Sequence, residues 1–250
     1  MYKFVKHSRI MVIKVYSKRI LVSIFSAGLL SLLLTSCVKS SNNINTNTNT
    51  PIAAVAFTQA SPDENPLNII INGTRINQFA FNYGDSSPYI TLNAGKSAIV
   101  FSDNATAKAI LTDTVNLVPN TNYSLFLINS TSNPGAFLLT DTLTKPTAGN
   151  AAIRFINLSP DAPAVDLVIK GGAVVVANKS YKGYSSFAPI PGNTATLEVH
   201  QAGTATVLAT LGKVNFAPGY LYTIWFHGLA AGTTATDKLS VDIINNAYFL

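Results

Sequence analysis

The chain has 250 residues, enough for one large or two small domains, and is 48% hydrophobic with only 11% charged residues. Its net charge of +6 comes from Lys3, Lys6, Arg9, Lys14, Lys18 and Arg19, all in a stretch without acids. The remainder is neutral, which removes the usual argument for a nucleic-acid partner. One cysteine excludes an intrachain disulfide framework and any cysteine-built zinc site, and the weakly charged, apolar composition excludes a disordered or coiled-coil chain.

Ile20 to Leu34 read ILVSIFSAGLLSLLL, too short for an ordinary membrane span of about 20 residues but suited to the apolar part of a secretory signal. Leu34-Thr35-Ser36-Cys37 resembles a bacterial lipobox. The resemblance implies a signal peptide over 1–36, a diacylglyceryl thioether on Cys37 and a protein held to the membrane by that lipid. Met11 opens a leader of more ordinary length and gives the same mature chain. The expected location is the cell envelope, at the outer membrane. Val38-Lys39-Ser40-Ser41 lacks the acidic run that marks surface export in some Gram-negative groups, which tilts towards the periplasmic face while leaving both faces open. Ser40 to Thr50, SSNNINTNTNT, has almost nothing to bury, so 37–52 is expected to be a flexible tether. Extended, the 14 residues from Cys37 to Thr50 would reach about 50 Å.

Beyond the tether the sequence repeats. Ala53-Ala54-Val55-Ala56-Phe57 with Ser61-Pro62-Asp63 recurs as Ala151-Ala152-Ile153-Arg154-Phe155 with Ser159-Pro160-Asp161. Asn68 to Gly73 maps onto Asp166 to Gly171, Tyr83 onto Tyr181, Ala94-Gly95 onto Pro191-Gly192, and Tyr123 to Leu127 onto Tyr222 to Phe226. The spacing predicts two domains, 53–145 and 151–250, joined near Lys145 to Asn150. Within each, short runs rich in Val, Ile, Phe and Tyr alternate with Gly, Pro, Asn and Asp, the pattern of strands and turns. For the second repeat this predicts strands near 152–158, 165–169, 173–177, 184–188, 194–200, 206–214, 221–227 and 238–244. Seven or eight strands in such a length point to an all-β fold: two tandem immunoglobulin-like β-sandwich domains, with a small barrel as the other option.

Ala152 to Asp166, AIRFINLSPDAPAVD, followed by Pro191-Gly192 and Pro218-Gly219-Tyr220-Leu221-Tyr222-Thr223, resembles the bacterial domain-of-unknown-function family 4397. The first repeat is a divergent copy, with Glu64-Asn65 for Ala162-Pro163 and Asn68 for Asp166. The resemblance implies a β-sandwich of secreted or lipid-anchored envelope proteins, often in tandem, and no established activity. Read as chemistry, Pro160 sets a turn corner at which Ser159 and Asp161 accept backbone N–H groups, with Asp166 closing the same corner. The other reading of Ser159, Asp161 and Asp166 is a weak calcium site.

Catalytic patterns do not emerge. There is no G-x-S-x-G elbow, His200 and His227 lie on expected strands at no metal-ligand spacing, and Glu64 and Glu198 are the only glutamates. The expectation is therefore no enzyme, no metal and no cofactor. Tyr83, Tyr89, Tyr181, Tyr184 and Phe187 could stack on sugars or meet a protein, although core packing also accounts for such residues. Thr114 and Thr142 sit in Asp-Thr-apolar triplets that resemble O-glycan acceptor sites. The expected function is a non-enzymatic, lipid-anchored binding or spacer module for an envelope protein or polysaccharide. Its rivals are a structural component that pairs through sheet edges and a hydrolase of envelope glycans or esters.

Overall fold

The computed structural model describes residues 50–249. The expected signal peptide, Cys37 and the expected tether as far as residue 49 lie outside the described residues. Among those described there is no helix, and so none long and apolar enough to cross a membrane.

Sixteen strands follow one another: β1 (Ile52–Gln59), β2 (Leu67–Ile71), β3 (Thr74–Arg75), β4 (Ile90–Asn93), β5 (Gly95–Asp103), β6 (Ala109–Leu117), β7 (Asn122–Ile128), β8 (Gly135–Asp141), β9 (Asn150–Asn157), β10 (Val165–Ile169), β11 (Val174–Lys179), β12 (Ala188–Pro191), β13 (Thr194–Gln201), β14 (Val207–Asn215), β15 (Tyr220–His227) and β16 (Ser240–Tyr248). They make four sheets of four strands, in the orders β4-β1-β7-β8, β3-β2-β5-β6, β12-β9-β15-β16 and β11-β10-β13-β14. The first two form one sandwich and the last two repeat it strand for strand, including the parallel pairs β1 with β7 and β9 with β15. The two-sandwich, all-β architecture expected from the sequence is what the chain adopts.

Each sandwich closes on its own apolar core. Val55, Phe57, Ile69, Phe101 and Leu125 meet in the first, and Ile153, Phe155, Leu167, Val199 and Ile224 in the second. Tyr123 and Tyr222 lie near the start of β7 and β15, and their hydroxyl oxygens accept the N–H of Val118 at 3.1 Å and of Ala217 at 3.3 Å. This upstream backbone bond resembles the tyrosine corner of immunoglobulin-like sandwiches. Asn72 and Gly73, both at positive φ (48° and 83°), make the tight turn between β2 and β3.

Two expected strands fall elsewhere. The run expected at 184–188 is displaced to Ala188–Pro191, because the Ser185 side chain takes the place of a ladder partner: its Oγ accepts the Phe155 N–H at 3.0 Å. Ser87 does the same for Phe57 at 2.9 Å. The last strand runs Ser240–Tyr248 rather than 238–244.

Candidate functional site

The described residues form one compact unit, and the pattern of burial shows why. From Tyr123 to Ile128 every residue of β7 is buried, as is every residue of β15 from Leu221 to His227. A strand buried on both faces has a neighbour on each side. Tyr123, Leu125 and Leu127 face the first core, so Ser124, Phe126 and Ile128 face outward. There they meet the corresponding face of the second domain, in a cluster of Ala60, Phe126, Ile128, Leu139, Ile156, Leu158 and Trp225. The sheets β4-β1-β7-β8 and β12-β9-β15-β16 thus pack on one another.

This seam carries a buried polar network. Arg154 Nη1 donates to Asp141 Oδ1 at 2.5 Å, Nη2 to Ser124 Oγ at 2.8 Å and Nε to Thr223 Oγ1 at 2.7 Å. Asp141 Oδ2 also accepts from the hydroxyls of Tyr89 at 2.5 Å and Ser124 at 2.7 Å. Thr223 donates to Asn246 Oδ1 at 2.5 Å, and Asn246 Nδ2 donates to the Tyr89 oxygen at 3.3 Å. The charged side chains are 3% and 0% exposed. An ion pair with so little water depends on hydrogen bonds to its remaining donors and lone pairs, and here these are supplied.

Two further tyrosines bridge the seam. The Tyr83 hydroxyl is hydrogen-bonded to His227 Nδ1, and the Tyr181 hydroxyl donates to Asn129 Oδ1. His227 Nε2 donates to Asp242 Oδ2 at 2.9 Å, so the imidazole links Tyr83 to Asp242, and the Trp225 ring stacks on it at 3.9 Å. The bond from His227 holds the Asp242 carboxyl below its ordinary range. Burial first, then the neighbouring carboxylates, pushes the phenols of Tyr83 and Tyr89 above theirs. Burial pushes the Tyr181 phenol up to about 12.

Three of the five aromatics expected on a ligand-facing surface, Tyr83, Tyr89 and Tyr181, therefore use their hydroxyls to join the two domains. The other two line an open cleft of about 400 Å³ where the seam meets the linker. Tyr184, 49% exposed, lines it together with Ser186, Thr140, Thr142, Thr144 and Arg154. Phe187 also lines it, its ring centroid 4.8 Å from the Arg154 guanidinium carbon. A smaller cleft of about 290 Å³ opens at the opposite edge, between Ser87 to Tyr89 and Ile244 to Tyr248.

The Ser-Pro-Asp turn does carry the chain from one sheet to the other, between β9 and β10. Asp161 accepts from the N–H groups of Ala230 at 2.7 Å and Ala231 at 3.1 Å, tying the corner to the loop after β15. Ser159 donates weakly to Asp161 at 3.4 Å. Asp166 does not close that corner. It accepts from Asn178 N–H at 2.7 Å and Gly203 N–H at 2.9 Å, fixing the bulged pairing of β10 with β11 and the turn after β13. The two carboxylates serve different loops, and each is engaged by backbone donors. In the first domain, Asp63 accepts from Thr131 N–H at 2.9 Å in the place of Asp161. Glu198 is paired with Lys170 and with His200, both at 3.0 Å. Thr114 on β6 and Thr142 beside the cleft are both exposed.

A family described as Domain of unknown function (DUF4397) matches residues 53–168. The match covers the whole first domain and continues through the Ser-Pro-Asp turn into β10. No curated protein matches the chain. Among solved structures, a family 26 carbohydrate-binding module of Amy13K from Eubacterium rectale, in complex with maltoheptaose, is similar at 9% identity and a TM-score of 0.26, over 78% of this chain and 97% of that one. Family 41 carbohydrate-binding modules from streptococcal virulence factors are similar at 12% identity and the same TM-score, over 78% and 97% of the two chains.

Sequence reasoning found the repeat and the turn but missed Arg154, Asp141, Ser124, Thr223 and Asn246. A signal was available. β7 from Tyr123 to Ile128 and β15 from Leu221 to Phe226 read as apolar runs broken only by Ser124 and Thr223 rather than as alternating ones, and Arg154 is a lone cation in the apolar run of β9 where the first repeat has Ala56.

Proposed function

We propose that the chain is a non-enzymatic, lipid-anchored cell-envelope protein whose two fused sandwiches bind a saccharide chain in the cleft beside the linker. The observation that carries this reading is the cleft itself. The exposed Tyr184 lines the same cleft as Thr140, Thr142 and Thr144, a combination suited to the apolar face of a sugar ring and to its hydroxyls. No carboxylate or histidine lines it, so it offers binding without an acid–base pair. The lipid on Cys37 and the tether over 37–52 would hold this unit at the outer membrane. The neutral mature chain gives no electrostatic reason for nucleic acid.

The test is a glycan array probed with residues 51–250, beside the same chain carrying Tyr184→Ala. Saturable binding by the first and loss by the second supports the reading, and silence from every glycan refutes it. Anchoring is tested separately by mass spectrometry of native protein, which should find diacylglycerol on an N-terminal Cys37. The same spectra test O-glycans on Thr114 and Thr142. A glycan on Thr142 would fill the cleft with a saccharide of the protein's own and displace the proposed ligand. The structural alternative draws on β6 and β14, nine-residue strands each paired on one side only. Self-association of residues 51–250 in sedimentation would favour it.

A further inference from the structure

The seam repeats its own contacts with the domains exchanged. Phe126 and Trp225 occupy the same place in β7 and β15, as do Ser124 and Thr223, and Leu158 corresponds to Ala60. Tyr83 of the first domain reaches across to the second, and its counterpart Tyr181 reaches back. The cleft formed by Tyr184 to Phe187 against β8 and the linker has its counterpart in Ser87 to Tyr89 against β16. Such reciprocity is the mark of an isologous contact between two copies. A surface of this kind can in principle pair with its own copy as readily as with its homologue.

The two tyrosines find different partners, since His227 stands where the first domain has Ile128, and one charged feature breaks the symmetry outright. Arg154 sits beside Thr223 in the ladder, and the residue in that position beside Ser124 is Ala56. Asp141 accepts from Ser124 where Thr223 donates instead to the neutral Asn246. A pairing of two first domains would bury two Asp141 carboxylates with no cation. A pairing of two second domains would bury two Arg154 guanidinium groups with no carboxylate. Only the mixed pairing matches charge to charge.

We propose that the seam is a heterotypic pairing surface, with Asp141 and Arg154 as its specificity device. It accepts the complementary domain, from its own chain or by exchange from a second copy, and rejects a domain of its own kind. A buried charge left alone is costly enough to lower the like-with-like pairing constant on the order of a hundredfold or more.

The test keeps the whole chain from Ser40, with a protease site inserted after the exposed Ala148. After cleavage, unlabelled and isotope-labelled protein are mixed and analysed by native mass spectrometry. The wild-type halves should stay together and exchange only into first-with-second pairs. With Asp141→Leu and Arg154→Met combined, like pairs should appear at a share close to statistical. If that variant does not fold, Asp141→Asn with Arg154→Gln removes the charges while keeping polar groups, and the same result is expected. Like pairs in the wild type, separation of its halves, or strict mixed pairing without the charges would each overturn the proposal.

Discussion

Replacing Asp141 by Asn removes one charge from the seam and leaves the Arg154 guanidinium 3% exposed with no counter-ion. Breaking a buried ion pair from one side costs about 3–5 kcal/mol. The asparagine Oδ1 can still accept from Tyr89 or Ser124, which places the expectation near the lower end, about 3–4 kcal/mol. With a urea m-value of about 2–3 kcal/mol/M for a unit of this size, the unfolding midpoint should fall by about 1–2 M. The chain offers its own reporter, because Trp225 is the single tryptophan and lies in the seam, 1% exposed. Its emission should shift to the red at the lower midpoint. Asp113→Asn, a change on the exposed face of β6, should move the midpoint by no more than the ~0.5 kcal/mol of an ordinary surface change. Joining Arg154→Met to Asp141→Leu should restore most of the loss, since an apolar pair of similar volume is often as stable as the ion pair it replaces. A midpoint for Asp141→Asn matching that of Asp113→Asn would refute the buried-network argument.

Three other outcomes are expected. Asp166→Ala strips two backbone N–H groups, of Asn178 and Gly203, of a charged acceptor, and should destabilise the second domain by about 2–3 kcal/mol in the same urea assay. The folded protein holds the phenols of Tyr83 and Tyr89 in their neutral form, while in the unfolded chain they ionise near 10. Above that pH the folded state binds more protons than the unfolded one, so stability should fall as pH rises from about 10, and Tyr89→Phe should flatten the fall. Tyr184→Ala should weaken saccharide binding at least about tenfold, as loss of a stacking ring does, while leaving the Trp225 unfolding transition in place. A variant that lost both together would show that Tyr184 supports the fold rather than the ligand.

The parts legible in the sequence were those carried by local patterns. β10 is expected at 165–169 and lies there, because a five-residue run, apolar but for Asp166, between Pro163 and Gly171 leaves little latitude. The Ser-Pro-Asp corner was readable because proline and a short acceptor side chain make a turn wherever they occur. Displacement of β12 was not readable, since it depends on Ser185 reaching a backbone N–H some thirty residues away. The seam was hidden for a similar reason. Tyr83 and Tyr181 were recognised as equivalents at an offset of 98, but equivalence in sequence does not say that each hydroxyl finds a partner on the other domain. The partners of Asp166 are not readable for the same reason, since Asn178 lies near the end of β11 and Gly203 in the turn after β13, each far along the chain.

The most direct test of the proposed function is a calorimetric titration of residues 51–250 with the saccharide that gives the strongest array signal, run in parallel on Tyr184→Ala and Tyr248→Ala. Tyr248 is 60% exposed and lines the smaller cleft rather than this one, so it controls for the loss of an exposed ring outside the proposed site. The expected result is a saturable isotherm for the wild type and Tyr248→Ala and a loss of about tenfold or more in affinity for Tyr184→Ala. Equal affinities across all three proteins, or no heat from any, would contradict a saccharide site in the cleft.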